Sequence, residues 1–268
     1  MDKLSPFDLT DRVVLLTGAA GHLGSAMAIG LANAGCRLVL NGRNRETLAA
    51  LSETITSDGS QAYVLPFDVT DTEAVSSALT QVRREIGRLD VLINNAYSGH
   101  GGTIAASCDD DFEKSYSISV TAAASLVREA RPLLEEAGQR NPGGASVINI
   151  ASMYGVVSPD PRIYSGPEQC NPPFYGSAKA ALIQLSRSLA CELAPCHIRV
   201  NSISPGPFPS PSVQRGSPEM CKQLASRVPL GRIGNPRELI GPVVFLASDA
   251  SSYVTGHNLL VDGGWTVW

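Results

Sequence analysis

The sequence predicts an α/β protein: one doubly wound parallel sheet of about seven strands, with helices on both faces. Three observations carry that expectation. Short Val/Ile/Leu runs with little strict alternation recur along the chain, the pattern of strands covered on both faces. Stretches with helical spacing separate them, so the order is β-α-β-α, which makes neighbouring strands parallel with right-handed crossovers. No linker, repeat or low-complexity block divides the 268 residues, so residues 1–268 form a single domain.

The elements follow in order. RVVLLT (12–17) is the first strand, and the turn TGAAGHLG (17–24) leads into a helix over Leu23–Ala34. CRLVLN (36–41) precedes a helix over Glu46–Ile55, and QAYVLPF (61–67) one over Thr72–Ile86. LDVLIN (89–94) is followed by a long helix over Asp110–Glu136, whose entry carries Asp109, Asp110 and Asp111, acids suited to the positive end of a helix dipole. ASVINIA (145–151) comes next. In FYGSAKAALIQLSRSLACELA, residues Leu182, Leu185, Leu189 and Leu193 recur at three- and four-residue spacing and make one buried stripe. HIRVNSI (197–203) is a further strand. The Pro/Ser-rich piece at 204–218 is too short for a domain boundary and suits a mobile lid, spanning about 204–228.

Composition narrows the function classes. A formal net charge of −4, with no Lys/Arg cluster, argues against nucleic-acid binding. No apolar run reaches membrane-spanning length, and the start MDKLSPFDLTDR has no apolar core of a signal peptide; a cytoplasmic protein is expected. The six cysteines (36, 108, 170, 191, 196, 221) show no CxxC pairing, so neither a metal site nor a disulfide framework is expected. Cys36 and Cys191 fall in apolar-periodic segments and read as core residues.

Gly18, Gly21 and Gly24 stand at the first strand–helix junction, where a tight turn brings backbone N–H groups and a helix N-terminus to a pyrophosphate. The bland reading is an ordinary strand-to-helix turn. After the second strand the chain reads Leu40-Asn41-Gly42-Arg43, with no carboxylate before Glu46. A carboxylate there would accept from ribose hydroxyls of NAD, whereas an arginine makes forked contacts to the 2′-phosphate of NADP. NADP is therefore the expected cofactor, held by Asn41 and Arg43. The alternative is that Asn41-Gly42 makes a turn and Arg43 is a solvated charge.

Tyr175-Gly176-Ser177-Ala178-Lys179, with Ser152 upstream and the glycine turn in front, resembles the short-chain dehydrogenase/reductase family over nearly the whole chain. TGAAGHLG is similar to its cofactor turn. FDVTD places Asp68 and Val69 where the adenine edge is held, and NNAY (94–97) is similar to NNAG, bringing in Asn95 and Ala96. INIAS ends on the matching Ser152, ISPGP supplies Pro205-Gly206 beside the nicotinamide, and TGHNLLVDGG resembles the closing strand. The resemblance implies a Rossmann domain, NADP(H) and a homodimer or homotetramer. It also implies that Tyr175 is the acid/base, Ser152 the holder of the substrate oxygen, and Lys179 the holder of the nicotinamide ribose. The chemistry suits the residue types. Tyr and Lys at i and i+4 share a helical face, and an ammonium beside a phenol lowers a pKa that is otherwise about 10.

The pattern departs from the family in several places. The asparagine whose backbone holds a relay water aligns with Ser119, and Tyr97 replaces a glycine. Ser152 and Tyr175 are 23 positions apart, with an inserted loop over about 158–173. The compact branch spaces its turn TGxxxGxG, which would put glycine at position 22. The nucleotide-sugar branch uses TGxxGxxG, which Gly18, Gly21 and Gly24 satisfy. The rest of the chain resembles the compact branch, so His22 and Leu23 are read as offering main-chain groups to the phosphates. His100 reads as a solvated loop residue, the alternative being one that faces substrate at the C-terminal strand edge, and His197 and His257 read as structural.

The leading expectation is an NADP-dependent oxidoreductase acting on a small polar carbonyl or alcohol, sugar-derived or a keto or hydroxy acid. Tyr164, Glu168 and Gln169 of the inserted loop supply polar groups expected to border the substrate. The alternatives are a nucleotide-sugar epimerase or dehydratase that retains its nicotinamide, and a catalytically idle NADP-binding scaffold.

Overall fold

A computed structural model describes residues 5–268; residues 1–4, part of the stretch read for a signal peptide, lie outside the described residues. Seven strands form one parallel sheet: β1 (Val13–Leu16), β2 (Arg37–Gly42), β3 (Gln61–Pro66), β4 (Val91–Asn94), β5 (Ala145–Ile150), β6 (Ile198–Pro205) and β7 (Asn258–Val261). Their spatial order is 3-2-1-4-5-6-7. The order reverses between β1 and β4, and the crevice at the carboxyl ends of these two strands is where such sheets bind ligands.

Each central strand is buried on both sides, which explains the unalternating apolar runs. Val13 and Leu15 join one core, while Val14 and Leu16 join the other. The first core packs under α3 (Thr72–Glu85), α5 (Ala122–Arg140) and α6 (Pro173–Leu193). The second packs under α1 (His22–Asn33), α2 (Arg45–Thr56) and α9 (Ile240–Ala247). Side chains start two of these helices: Asn44 Oδ1 accepts from Thr47 N–H, and Asp71 Oδ1 from Glu73 and Ala74 N–H. Among the described residues no helix is long and apolar enough to cross a membrane.

Two expectations need correction. The long helix over 110–136 is two helices, α4 (Asp109–Tyr116) and α5, joined by a π-helical turn at Ser117–Thr121. One wide turn leaves the apolar spacing on either side intact, so periodicity does not register it. The segment read as a lid contains α7 (Pro211–Gly216) and α8 (Pro218–Arg227), each opening on a proline, which fits the first helical turn where no N–H is needed. Finally, Cys36 is buried but Cys191 is exposed. The α6 stripe runs through Leu182 and Leu193, both buried, and Cys191 faces away from it.

Candidate active site

The crevice is a cavity of about 580 Å³ that runs from Arg43 and Asn44, past the glycine turn, to Ser152, Tyr175 and Lys179. Its phosphate-sized end is made of backbone. Gly18 has φ +61°, and a Cβ there would lie 2.9 Å from the Ala96 Cα. A Cβ at Gly24 would lie 2.2 Å from the Gly18 carbonyl oxygen, so only glycine fits both positions. Neighbouring strands hold the turn. Asn95 Nδ2 donates to the Thr17 and Gly18 carbonyls, Thr17 Oγ1 accepts from the N–H groups of Asn95 and Ala96, and Ala19 N–H donates to Asn41 O. His22 opens α1 directly after Gly21, and His22, Leu23 and Gly24 all line the cavity.

At the other end of the turn the expected residues divide. Arg43 is 70% exposed and stands 3.9 Å from Asp68, free to meet a ligand. Asn41 is fully buried, and its amide donates to Leu65 O and Phe67 O; it ties β2 to β3. Asp68 Oδ1 accepts from the Thr70 N–H and hydroxyl, and those bonds lower its pKa. Val69 is buried along the cavity wall. Asn44, Thr47 and Phe208 also line the cavity; the sequence reading missed them, although the Asn44 cap is visible as Asn before a helical pattern.

The chemical end is assembled from three elements. Ser152 follows β5 and accepts from Tyr154 N–H at 3.1 Å. Tyr175 and Lys179 lie one turn apart on α6. Pro205 and Gly206 end β6 and line the same wall, with Gly206 N–H donating to Val261 O. Burial pushes the Tyr175 phenol up to about 12, opposed by its hydrogen bond with Ser152. Burial also pulls Lys179 down to about 8. The expected lowering of the phenol by the ammonium is therefore absent here: Lys179 Nζ donates instead to Ile150 O at 2.8 Å and lies 5.7 Å from the Tyr175 ring centre. Desolvation outweighs the charge.

Ser119 sits in the π-helical turn and does not line the main cavity. With Thr17, Asn94 and Lys179 it encloses a separate space of about 10 Å³. Its Oγ and Asn94 Oδ1 have no hydrogen-bond partner among the described residues. The polar residues of the inserted loop take up different positions. Tyr164 gives its hydroxyl to a 2.9 Å contact with the Tyr154 hydroxyl, and Glu168 and Gln169 are exposed. Tyr164 packs with Ile163, Leu224, Val228 and Trp265, a cluster that draws the loop onto α8 and the C-terminal end. His100 is exposed and lies 3.0 Å from Asp111; His197 starts β6 in a left-handed conformation with φ +58°. Among the described residues no cluster of metal-ligating side chains occurs.

Comparison with known proteins bears on this geometry. The family model described as enoyl-(acyl carrier protein) reductase matches residues 18–266. The rhamnolipids biosynthesis 3-oxoacyl-[acyl-carrier-protein] reductase of Pseudomonas aeruginosa is 35% identical over 96% of this chain and 97% of its own. A short-chain type dehydrogenase/reductase from Mycobacterium marinum superposes with a TM-score of 0.87 at 31% identity, covering 98% of both chains. A gluconate 5-dehydrogenase from Burkholderia cenocepacia, solved in complex with NADP and tartrate, superposes with a TM-score of 0.85 at 29% identity over 98% of both chains.

Proposed function

The chain belongs to the short-chain dehydrogenase/reductase family, and from that premise we propose that it is an NADP(H)-dependent oxidoreductase of small polar carbonyls or alcohols. We take the substrate to be sugar-derived or a keto or hydroxy acid. One observation carries the reading: Ser152, Tyr175 and Lys179 meet at one end of a cavity whose other end is a glycine turn and an exposed arginine.

The cavity suits a dinucleotide on grounds of its own. Its length spans the switch point of the sheet, and the closeness of Gly24 to the Gly18 carbonyl leaves backbone, not side chain, facing the space. The α1 N-terminus supplies N–H groups for phosphates. Arg43, exposed at this end of the cavity, would meet the 2′-phosphate, with Asn44 and Thr47 beside it. Asp68 and Val69 border the adenine end, and Asn95, Ala96, Pro205 and Gly206 the nicotinamide end.

A bound nicotinamide supplies or accepts the hydride. The remaining work falls to side chains. Tyr175, held protonated by burial at neutral pH, donates its proton to the carbonyl oxygen being reduced and recovers one in the reverse direction. Such transfer contributes about 10²–10⁴ in rate. Ser152 donates a hydrogen bond to the same oxygen. Lys179, its pKa lowered to about 8 by burial, would hold the nicotinamide ribose, and Ser119 lines a small space beside it.

The polar substrate class is supported by relatives such as the gluconate 5-dehydrogenase solved with tartrate. We further propose a cytoplasmic homodimer or homotetramer, as the family resemblance implies. NADPH oxidation measured against 5-ketogluconate, a short α-keto acid, a 3-oxoacyl thioester and an aryl ketone tests the reading. Turnover of the first two is expected. Preference for the thioester would replace the substrate class, and no turnover of any would remove the enzymatic reading.

A further inference from the structure

Tyr97 stands where the resembling family carries a glycine, and the reaction proposed above makes no use of it. Its ring packs edge-on against the Tyr175 ring, with centroids 4.9 Å apart. Lys179 Nζ lies 5.2 Å from its centre. The hydroxyl reaches only a long 3.4 Å contact with Ser115 Oγ, and that hydroxyl already donates to Phe174 O. Burial keeps the Tyr97 phenol neutral by raising its pKa. The residue beneath it is also fitted to the ring: a Cβ at Gly99 would come within 2.6 Å of the Tyr97 hydroxyl oxygen.

Two cavities meet at this ring. One is the main cleft of about 580 Å³. The other, of about 350 Å³, is lined by His100, Lys114 and Phe174. Arg43, Asp68, Tyr97, Ser98 and Ile118 border both, and of these Tyr97 is the one whose ring packs on Tyr175. We propose that Tyr97 is a specificity-determining wall of the catalytic cleft, whose ring fills the space beside Tyr175 that a glycine would open into the second cavity. A rigid aromatic ring serves this purpose because it occupies much volume with few torsions to order. Substrates are thereby limited to those that fit the main cleft alone. The inference deepens the carbonyl-reductase reading and rests on it.

The test compares kcat/KM for 5-ketogluconate and for ethyl benzoylformate, a bulkier aryl keto ester, in the wild type, Tyr97→Ala and Tyr97→Phe. Tyr97→Ala is expected to raise the ratio of bulky to small substrate by about tenfold or more, the scale on which pockets discriminate by volume. Tyr97→Phe keeps the ring and therefore the wild-type ratio. An unchanged ratio in Tyr97→Ala overturns the inference while leaving the enzyme reading intact. A ratio that changes equally in both variants overturns it too, because the hydroxyl would then be the discriminating group. If the alanine variant shows no thermal unfolding transition, Tyr97→Leu, narrower than the ring but still apolar, is expected to shift the ratio in the same direction. A wild type that reduces neither ketone defeats the proposed substrate class, and the wall is then decided without turnover by a crystal structure of the variant. Two cavities joined into one support the wall; neighbouring side chains closing the gap overturn it.

Discussion

The two ends of the cleft are built by different means. The phosphate end is backbone held by backbone: a glycine crossing, main-chain bonds from Ala19 to Asn41, and the Asn95 amide on Thr17 and Gly18 carbonyls. The catalytic end is side chain against side chain, with Tyr175 between Ser152 and the Tyr97 ring, and Lys179 buried behind them. Backbone geometry tolerates few sequences, so the first end is fixed by glycine positions. Side-chain burial sets charge, so the second end is governed by desolvation. Substitutions at the two ends should separate cofactor binding from chemistry.

The largest effect is expected at Tyr175. Tyr175→Phe removes only the proton-carrying hydroxyl, so turnover should fall by about 10²–10⁴ or more, while NADPH affinity, measured by fluorescence titration, persists. Normal turnover in this variant would remove Tyr175 from the chemistry. Loss of cofactor affinity equal to the loss of rate would show that the two ends are not separable.

Lys179 offers a pH test of the same contrast. Its pKa is lowered to about 8 in the fold, from 10.5, by burial. Below pH 8 the folded protein carries a desolvated ammonium that the unfolded chain keeps in water, so the lysine opposes folding there. That penalty is lost as pH rises from about 8 towards 10.5, so wild-type stability from this group increases across the window. Lys179→Met in the cofactor-free protein should therefore raise the melting temperature at pH 7. Setting the lost bond to Ile150 against the relieved desolvation gives a gain of about 2 kcal/mol. The gain should vanish above pH 10, although activity is lost throughout. A variant less stable than wild type at pH 7 would show that the Ile150 bond outweighs burial.

How much was legible in the sequence follows the same division. The turn at Gly18 and Gly24, the β-α alternation and the pairing of Tyr175 with Lys179 follow from local spacing, because backbone constraints act on neighbours in sequence, whereas Ser152 was grouped with them only through the family resemblance. The π-helical turn at Ser119 left no trace, since the apolar stripes on either side keep their period. The Tyr154–Tyr164 contact and the burial of Lys179 depend on which distant segments pack together. Asn41 illustrates the limit well. It lines the cavity as expected, but its amide N–H groups are also used by two β3-side carbonyls, a demand set by the next strand and invisible in LNGR itself.

A smaller effect belongs to Arg43, the cofactor end's one charged side chain from β2. A charge-assisted hydrogen bond is worth about 1.5–3 kcal/mol, but Arg43 is 70% exposed and solvent screening reduces the value to about 1 kcal/mol. Arg43→Ala should thus weaken NADPH about fivefold and leave NADH nearly unchanged. Equal losses for the two cofactors would make Arg43 a solvated charge, and a wild-type preference for NADH would overturn the reading of this turn.

The smallest effect sharpens the catalytic end. Asp160 in the inserted loop is held twice, by Arg162 within the loop and by Arg227 Nη1 at 2.8 Å from the end of α8. The second bond thus adds an ionic tie between the loop and α8 to the packing of Ile163 and Tyr164 on Leu224. Arg227→Ala breaks that tie and leaves Asp160 paired with Arg162, so the loop keeps its own conformation and the Tyr154–Tyr164 contact. A half-exposed ion pair contributes about 0.5–1 kcal/mol, and if α8 and the loop close over substrate together, KM should rise about two- to fivefold with kcat and NADPH affinity unchanged. Removing residues 160–172 should raise KM further, because the packing of Ile163 and Tyr164 on Leu224 and Trp265 goes as well. An unaltered KM in both variants would make the loop a surface insertion, and substrate choice would then rest on the walls of the cleft alone.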